Sequence, residues 1–506
     1  MKIKKFSFLP DELWWGGYVD AGHEMPISAR DTKRFDMRLN ATCNQINPLF
    51  LSSKGRYIWS DGYYTISFEC GEIVVTFAGE LDLYEGGSNL KDSYLRATKR
   101  HMTFEGLPLR EAFTKPQYNT WIAMTYWPTQ EKVLSYARSI VQNGGRGGLF
   151  MIDAGWQQDY GMWRFHGGFP DPAAMVRELH DMGFRVMLWL VPYISPDCET
   201  FRTLRAGGGL IKDANGKPLL TEWWEGYSAI VDLSSEAGGR WMKETLRDLQ
   251  MNYGVDGFKL DGGDAQYCPC DMVTAGNLTP NEFSEEWARL GLNYGVAEMR
   301  ACCKCGGLPL LQRIADRKHS WDDQHGLGGL VAKCLTQSIS GYPYLCPDMV
   351  GGGDFSDFLG KSSDELDCEL FIRYCQASAL MPMIQFSYDY WRMLDQNTVE
   401  ICNRYARLHA EFGEYIYCCA EKTAKTGEPI IRNLAYAFDD RHDVRDCFML
   451  GSDYLVAPVL KRGQRKQTVR LPSGRWQYVP DGKYYEGGQT VTVAAPLDTL
   501  PYFKKL

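Results

Sequence analysis

The spacing of apolar positions in this chain changes twice. Over residues 1 to about 113 apolar and polar residues alternate in short segments, such as Tyr57-Ile58-Trp59-Ser60 and Gly71-Glu72-Ile73-Val74-Val75-Thr76-Phe77. Gly-, Asp- and Ser-rich turns separate them, the pattern of half-buried strands. No long helical period is visible before Glu131. From about 117 to 413 strand-type apolar runs alternate with amphipathic stretches. The eight runs are Thr120–Tyr126, Gly148–Asp153, Phe184–Tyr193, Gly257–Leu260, Gly295–Arg300, Leu308–Ile314, Cys334–Tyr344 and Leu380–Phe386. The predicted helices between them are Glu131–Gln142, Pro172–Met182, Glu236–Asn252, Pro280–Leu292 and Asp364–Ala377.

Runs that are apolar on both faces, separated by helices, predict a parallel sheet. Eight βα units over about 300 residues predict an α/β fold of the (β/α)8 TIM-barrel type. A doubly wound sheet is the alternative, weakened because no GxGxxG turn follows the first run. A segment at about 195–230, carrying Trp223-Trp224, reads as an excursion beside the barrel mouth. From 414 onward short β segments return, with turns such as Pro472-Ser473-Gly474 and Pro480-Asp481-Gly482. The expected organisation is an N-terminal β-sandwich domain over 1–115, a barrel over 116–413 with an insertion at 195–230, and a C-terminal β-sandwich domain over 414–506.

Composition narrows the function classes. The apolar fraction is 44% and the charged fraction 23%, values of a soluble globular chain. A net charge of −8 without a basic stripe argues against nucleic acid as partner. No stretch approaches the roughly 18 uninterrupted apolar residues of a membrane span. The basic start, Met1-Lys2-Ile3-Lys4-Lys5, precedes an apolar stretch too short for a signal peptide. The 16 cysteines are therefore expected to be reduced, in a cytoplasmic protein. Cys268-Pro269-Cys270 and Cys302-Cys303-Lys304-Cys305 lack zinc-ribbon spacing and are expected to be packed thiols, with no metal and no organic cofactor. A homo-oligomer is compatible with the sequence.

In a barrel enzyme the chemistry sits at the C-terminal ends of the strands. Here those ends carry Asp153, then Lys259-Leu260-Asp261 with Asp264, then Arg300, Arg313 with Asp316, Asp348, and finally Gln385 with Asp389 and Trp391. Charged groups are costly inside a barrel unless paired, yet this chain gathers them at one end. Paired carboxylates there suit glycosidic bond cleavage, one attacking or stabilising the anomeric carbon and one protonating the leaving oxygen. Asp261 is the nucleophile candidate, because Lys259 at i−2 leaves the same face of the strand and favours its ionised form. Asp316 is the acid candidate. The plainer alternatives are a structural Lys259–Asp261 ion pair and a helix-capping or surface-paired Asp316 beside Arg317.

These residues resemble glycoside hydrolase family 31. Gly257-Phe258-Lys259-Leu260-Asp261 is similar to the family's nucleophile strand. Arg300 precedes Asp316 by 16 residues, similar to the spacing of its sugar-binding Arg and acid/base Asp. Asp316 with Trp321 resembles the Asp-x-x-x-x-Trp pattern. Ser340-Gly341-Tyr342-Pro343 followed by Asp348-Met349-Val350-Gly351-Gly352 resembles the Ser-Gly…Asp-Ile-Gly-Gly segment. Ile152-Asp153 ahead of Phe169-Pro170-Asp171 resembles the strand whose Asp contacts the sugar. Within the family the chain looks most like the branch of myogenesis-regulating glycosidases and their bacterial relatives, associated with α-galactosidase activity. Pro347 stands where many family α-glucosidases carry a sugar-binding His, and Arg313-Ile314-Ala315 replaces their Trp-x-Gly before the acid.

The resemblance implies a retaining α-glycoside hydrolase, with Asp261 as nucleophile, Asp316 as acid/base, and carboxyl groups about 5–5.5 Å apart. It implies sugar contacts from Asp153, Lys259, Arg300 and Asp348, with Arg313 taking part of the lining role. Trp156, Trp189 and Trp391 are candidates for the apolar wall, and each also suits core packing. The expected substrate is a small oligosaccharide or glycoside, α-galactoside first. The alternatives are an α-glucosidase or α-xylosidase on the same machinery, a transglycosylase, or a sugar-binding relative without catalysis.

Overall fold

The computed structural model describes residues 1–104, 106–362, 365–438 and 444–506. Its centre is an eight-stranded parallel sheet whose strands, numbered one to eight along the chain, are Gln117–Asn119, Gly148–Ile152, Phe184–Leu190, Gly257–Leu260, Val296–Met299, Leu311–Arg313, Leu345–Cys346 and Gln385–Phe386. Each pairs with its sequence neighbour, and strand one also pairs with strand eight. Strands seven and eight approach through a single parallel bridge, Met349 to Gln385, which leaves the barrel nearly closed. Helices Gln130–Gln142, Pro172–Asp181, Glu236–Tyr253 and Pro280–Leu290 lie where their amphipathic period places them. The last begins with a capping box in which Thr279 and Glu282 exchange hydrogen bonds. The helix predicted over Asp364–Ala377 runs Cys368–Ala379; Asp364 itself lies outside the described residues.

Three element assignments are corrected. The first run, Thr120–Tyr126, is not the first strand: the strand is Gln117–Asn119, and the run turns into a short helix at Trp121–Met124. The Asn119 side chain starts that turn by accepting from the Trp121 N–H at 2.7 Å. The seventh run, Cys334–Tyr344, is for the most part the helix Leu330–Ile339, and the strand follows at Leu345–Cys346. All ten residues of that helix are buried, so no polar face betrayed its period. The N-terminal region also holds a helix, Leu90–His101, whose buried Leu90, Tyr94 and Ala97 stand in a strongly charged stretch.

The N-terminal region otherwise stacks two antiparallel sheets. The four-stranded one is built on Lys2–Ser7, Glu72–Phe77, Tyr64–Glu69 and Lys33–Asp36; the five-stranded one centres on Leu13–Tyr18 and Ile46–Ser52. Their inner faces meet through Phe35, Phe50 and Phe68, with ring centroids 5.3–6.3 Å apart. Residue 414 lies inside a 31-residue helix, Gln396–Thr426, and the C-terminal strands begin at Ile431–Arg432. Those strands form a six-stranded sheet and a separate pair, Lys466–Arg470 with Thr490–Ala494, around Trp476 and Phe503. Among the described residues no disulfide bond joins the cysteines. Among the described residues no helix is long and apolar enough to cross a membrane.

Candidate active site

The barrel mouth opens into a cleft of about 400 Å³. Strand four supplies its floor. In register, Trp189, Lys259 and Glu298 stand level on strands three, four and five. Lys259 donates to Asp153 Oδ2 at 2.7 Å, both side chains being buried. Beyond Leu260 the chain turns at Gly262 and Gly263, both with φ above +60°. A side chain at Gly263 would collide with Trp287 at 2.5 Å, so the turn requires glycine. The Gly262 N–H donates to Asp261 Oδ1 at 2.9 Å.

Asp261 is held on every side. Its Oδ2 accepts the Trp189 indole N–H at 3.0 Å, and its Oδ1 accepts Arg300 Nε at 3.1 Å. Arg300 in turn forms a two-pronged pair with Asp264 at 2.9 and 3.0 Å. Burial works against ionisation of Asp261, but Arg300, Lys259, Arg313 and the Trp189 N–H outweigh it and hold the carboxyl well below the usual carboxylate range. Burial pushes Asp264 the other way, upward, against the opposing charge of Arg300.

Asp316 lines the same cleft from the end of strand six and is the more open carboxylate, with 42% of its side chain exposed. Beneath it lies Arg313, fully buried, donating to Asp316 at 2.7 Å and to Asp348 at 2.6 Å. Asp348 also accepts the Arg317 N–H at 2.7 Å from a left-handed backbone, φ 73°. Its burial pushes its carboxyl up to about 7 against the pull of Arg313.

The cleft thus brings together Asp153, Trp189, Lys259, Asp261, Arg300 and Asp316 of the expected set. Four others are corrected. Arg313 and Asp348 sit under the acid and hold its loop, rather than lining the cleft. Trp156 is fully buried behind Trp189, donating its indole N–H to the Trp189 carbonyl at 2.9 Å. Trp391 faces the barrel flank, packed at a tilt against Tyr390 and bonded through Nε1 to Asn403 of the long helix. The apolar wall comes instead from Trp121, Tyr126, Phe355, Trp224 and Tyr267. Trp121 and Tyr126 belong to the run misread as strand one. Trp224 and Glu225 form the tip of a hairpin, Leu220–Trp223 with Gly226–Ile230, inside the predicted excursion. Cys43 reaches the rim from the N-terminal region, a contact no local sequence signal announces.

A parallel barrel whose mouth holds one largely enclosed, ionised carboxylate and a second, more exposed one has the groups that glycosidic bond cleavage calls for. The comparisons narrow this. The sequence profile of the TIM-barrel domain of glycosyl hydrolases family 31 matches residues 113–305, and that of the family's C-terminal domain matches 427–505. The myogenesis-regulating glycosidase of Mus musculus is 31% identical over 409 residues, covering 78% of this chain and 57% of the relative. The alpha-xylosidase XylQ of Lactiplantibacillus pentosus is 25% identical, covering 88% of this chain and 60% of the relative. A dextranase of Flavobacterium johnsoniae, solved with isomaltotriose, superimposes with a TM-score of 0.85 over 99% of this chain and 66% of its own, at 20% identity. The chain belongs to glycosyl hydrolase family 31. It spans a little over half the length of the curated relatives it matches.

Proposed function

We propose that the protein is a retaining α-glycoside hydrolase that removes a terminal, uncharged α-linked hexose, with α-galactose as the preferred sugar. The observation that carries the reading is the pairing in one cleft of a largely enclosed carboxylate held ionised by three cations and an indole N–H with a more exposed one. Asp261 attacks the anomeric carbon as the bond to the aglycone oxygen breaks, and Asp316 gives that oxygen its proton. Asp316, now a carboxylate, takes a proton from water. The hydroxide so generated displaces Asp261 and restores both groups.

An uncharged sugar is supported by charge accounting. The cations that line the cleft, Lys259 and Arg300, are both occupied, by Asp153 and by Asp261 with Asp264. Glu225, at the rim, accepts from the Tyr126 hydroxyl and has no cation beside it among the described residues. A sulfonate or carboxylate on the sugar would meet unpaired negative charge. Galactose is supported by the branch resemblance and by Pro347, a buried residue without a side-chain donor where a His serves many α-glucosidases.

The test is hydrolysis of 4-nitrophenyl α-galactoside, α-glucoside and α-xyloside, with Asp261→Asn as control and the first-formed anomer followed by proton NMR. The galactoside is expected to be preferred, α-galactose to appear first, and the variant to lose on the order of 10⁴- to 10⁶-fold in kcat. Preference for the glucoside or xyloside keeps the mechanism and overturns the sugar. Release of the β-anomer first overturns retention, and binding without turnover overturns the enzyme.

A further inference from the structure

Asp316 is the least enclosed of the two carboxylates, so its aim depends on its backbone. That backbone is pinned on both sides. The N–H of Arg317, after it, donates to buried Asp348. The N–H of Ala315, before it, donates to Asn44 Oδ1 at 2.7 Å, and Asn44 belongs to the N-terminal region, 271 residues away in sequence. Asn44 is itself 3% exposed and fixed. Its amide Nδ2 donates to Asp20 at 3.2 Å, Asp20 is anchored by Lys333 at 2.8 Å, and its carbonyl accepts the Asn40 side chain at 2.8 Å. The neighbours on the same loop act alike. The Cys43 carbonyl accepts Arg300 Nη1 at 2.7 Å, and Gln45 Nε2 donates to the Arg313 carbonyl at 2.8 Å.

Resting on the reading of Asp316 as the acid/base, we propose that Asn44 is a positioning residue for it: the N-terminal region takes part in the reaction by holding the Ala315 N–H, in the peptide just ahead of Asp316, so that the carboxyl faces the leaving oxygen. Asn44 touches no reacting atom. Its loss therefore harms steps that need a well-aimed proton donor and spares steps that do not. A misaimed catalytic group costs on the order of 10²-fold, and a whole general acid about 10²- to 10⁴-fold.

The experiment compares two substrates of the same sugar: a glycosyl fluoride, whose leaving group needs little protonation, and an alkyl glycoside, whose leaving group needs it fully. Both are measured on the full chain. Their ratio of kcat/KM is independent of the fraction of correctly folded enzyme, so partial misfolding does not obscure it. Asn44→Ala is expected to lower the alkyl glycoside about 10- to 100-fold while the fluoride changes less than about threefold. Azide, a nucleophile that needs no base, is expected to speed turnover of the variant's glycosyl-enzyme and to give the glycosyl azide with retained configuration. Asn44→Asp, which keeps an oxygen for the Ala315 N–H, is expected to stay closer to the wild-type ratio. Asp20→Ala, which frees the Asn44 amide from a half-exposed partner, is expected to shift the ratio in the same direction by less. Equal losses on both substrates in Asn44→Ala, with no response to azide, would overturn the proposal. Asp316→Ala separates the two levels. If it too shows no leaving-group dependence, the assignment of the acid fails; if it shows it and Asn44→Ala does not, the assignment stands and the positioning role fails.

Discussion

At the scale of residues, the site is a lattice of opposite charges in which Arg300 and Arg313 each serve more than one carboxylate and Lys259 serves Asp153. The Asp153–Lys259 pair is almost fully enclosed, with side chains 3% and 5% exposed. Replacing Lys259 by Met keeps the volume but leaves Asp153 buried without its ammonium. Such a half-removed pair costs about 3–5 kcal/mol, far more than the intact pair contributes. Lys259→Met is therefore expected to lower the denaturant midpoint strongly, and Asp153→Asn added to it to recover part of the loss, which a double-mutant cycle in urea reads directly. Full additivity would show that the two groups do not depend on each other. The sequence made half of this legible. Alternation along a strand placed Lys259 and Asp261 on one face, which is correct. The partner that receives the Lys259 hydrogen bond is Asp153, 106 residues earlier, and the barrel register that joins them has no local signal. Trp156 and Trp391 failed for a related reason. An aromatic at a strand end is compatible with a wall or with a core, and only packing against Trp189 or Asn403 decides.

At the scale of elements, the excursion after strand three brings an aromatic surface to the cleft at the barrel mouth. Its hairpin tip sets Trp224, 43% exposed, against Tyr267 with ring centroids 5.6 Å apart and over the Arg300 guanidinium at 5.5 Å. A ring so placed gives a sugar an apolar face close to Asp261 while making no bond to the reacting atoms. Trp224→Ala is expected to raise KM about 2- to 12-fold, the equivalent of roughly 0.5–1.5 kcal/mol of aromatic contact, with kcat unchanged. Steady-state kinetics on the preferred aryl glycoside checks it, and an equal fall in kcat would mean that the ring aims Asp261 through Arg300 instead. Elements with one wet face, such as Glu236–Tyr253, were legible from period alone. Leu330–Ile339 and the two-residue strand Leu345–Cys346 were not, because a helix buried all round and a strand of two residues leave no period to count, whereas the apolar run Leu380–Phe386 does end on its short strand Gln385–Phe386.

At the scale of the whole molecule, three regions meet at Glu428. Lys91 reaches it at 3.0 Å from the N-terminal helix Leu90–His101, Lys422 at 2.5 Å from the long helix Gln396–Thr426, and Arg432 at 3.2 Å from the first C-terminal strand. Burial raises its carboxyl, but the three cations outweigh it and bring the value from 4.5 down to about 2. A carboxyl with a depressed folded value stabilises the fold at pH above its unfolded value, and the contribution is lost as the pH falls through the folded one. Glu428→Gln is therefore expected to be less stable than the parent at pH 7 by about 1 kcal/mol, the size of a partly exposed ion network, or a melting shift of about 1–3 °C. The gap should hold down to pH 4.5 and shrink from there toward pH 2. Thermal melts of both proteins in a buffer series from pH 7 to 3 read the gap directly. A difference that stays constant across that range, or widens on acidification, would place the stabilisation in packing around residue 428 and not in its charge. No sequence pattern announces this junction, because it is made by an acid between domains whose partners lie 337 residues and only a few residues away at once. The N-terminal region also joins the barrel on either side of Asn44, where Cys43 lines the cleft and Ile46 bridges Cys303 in parallel.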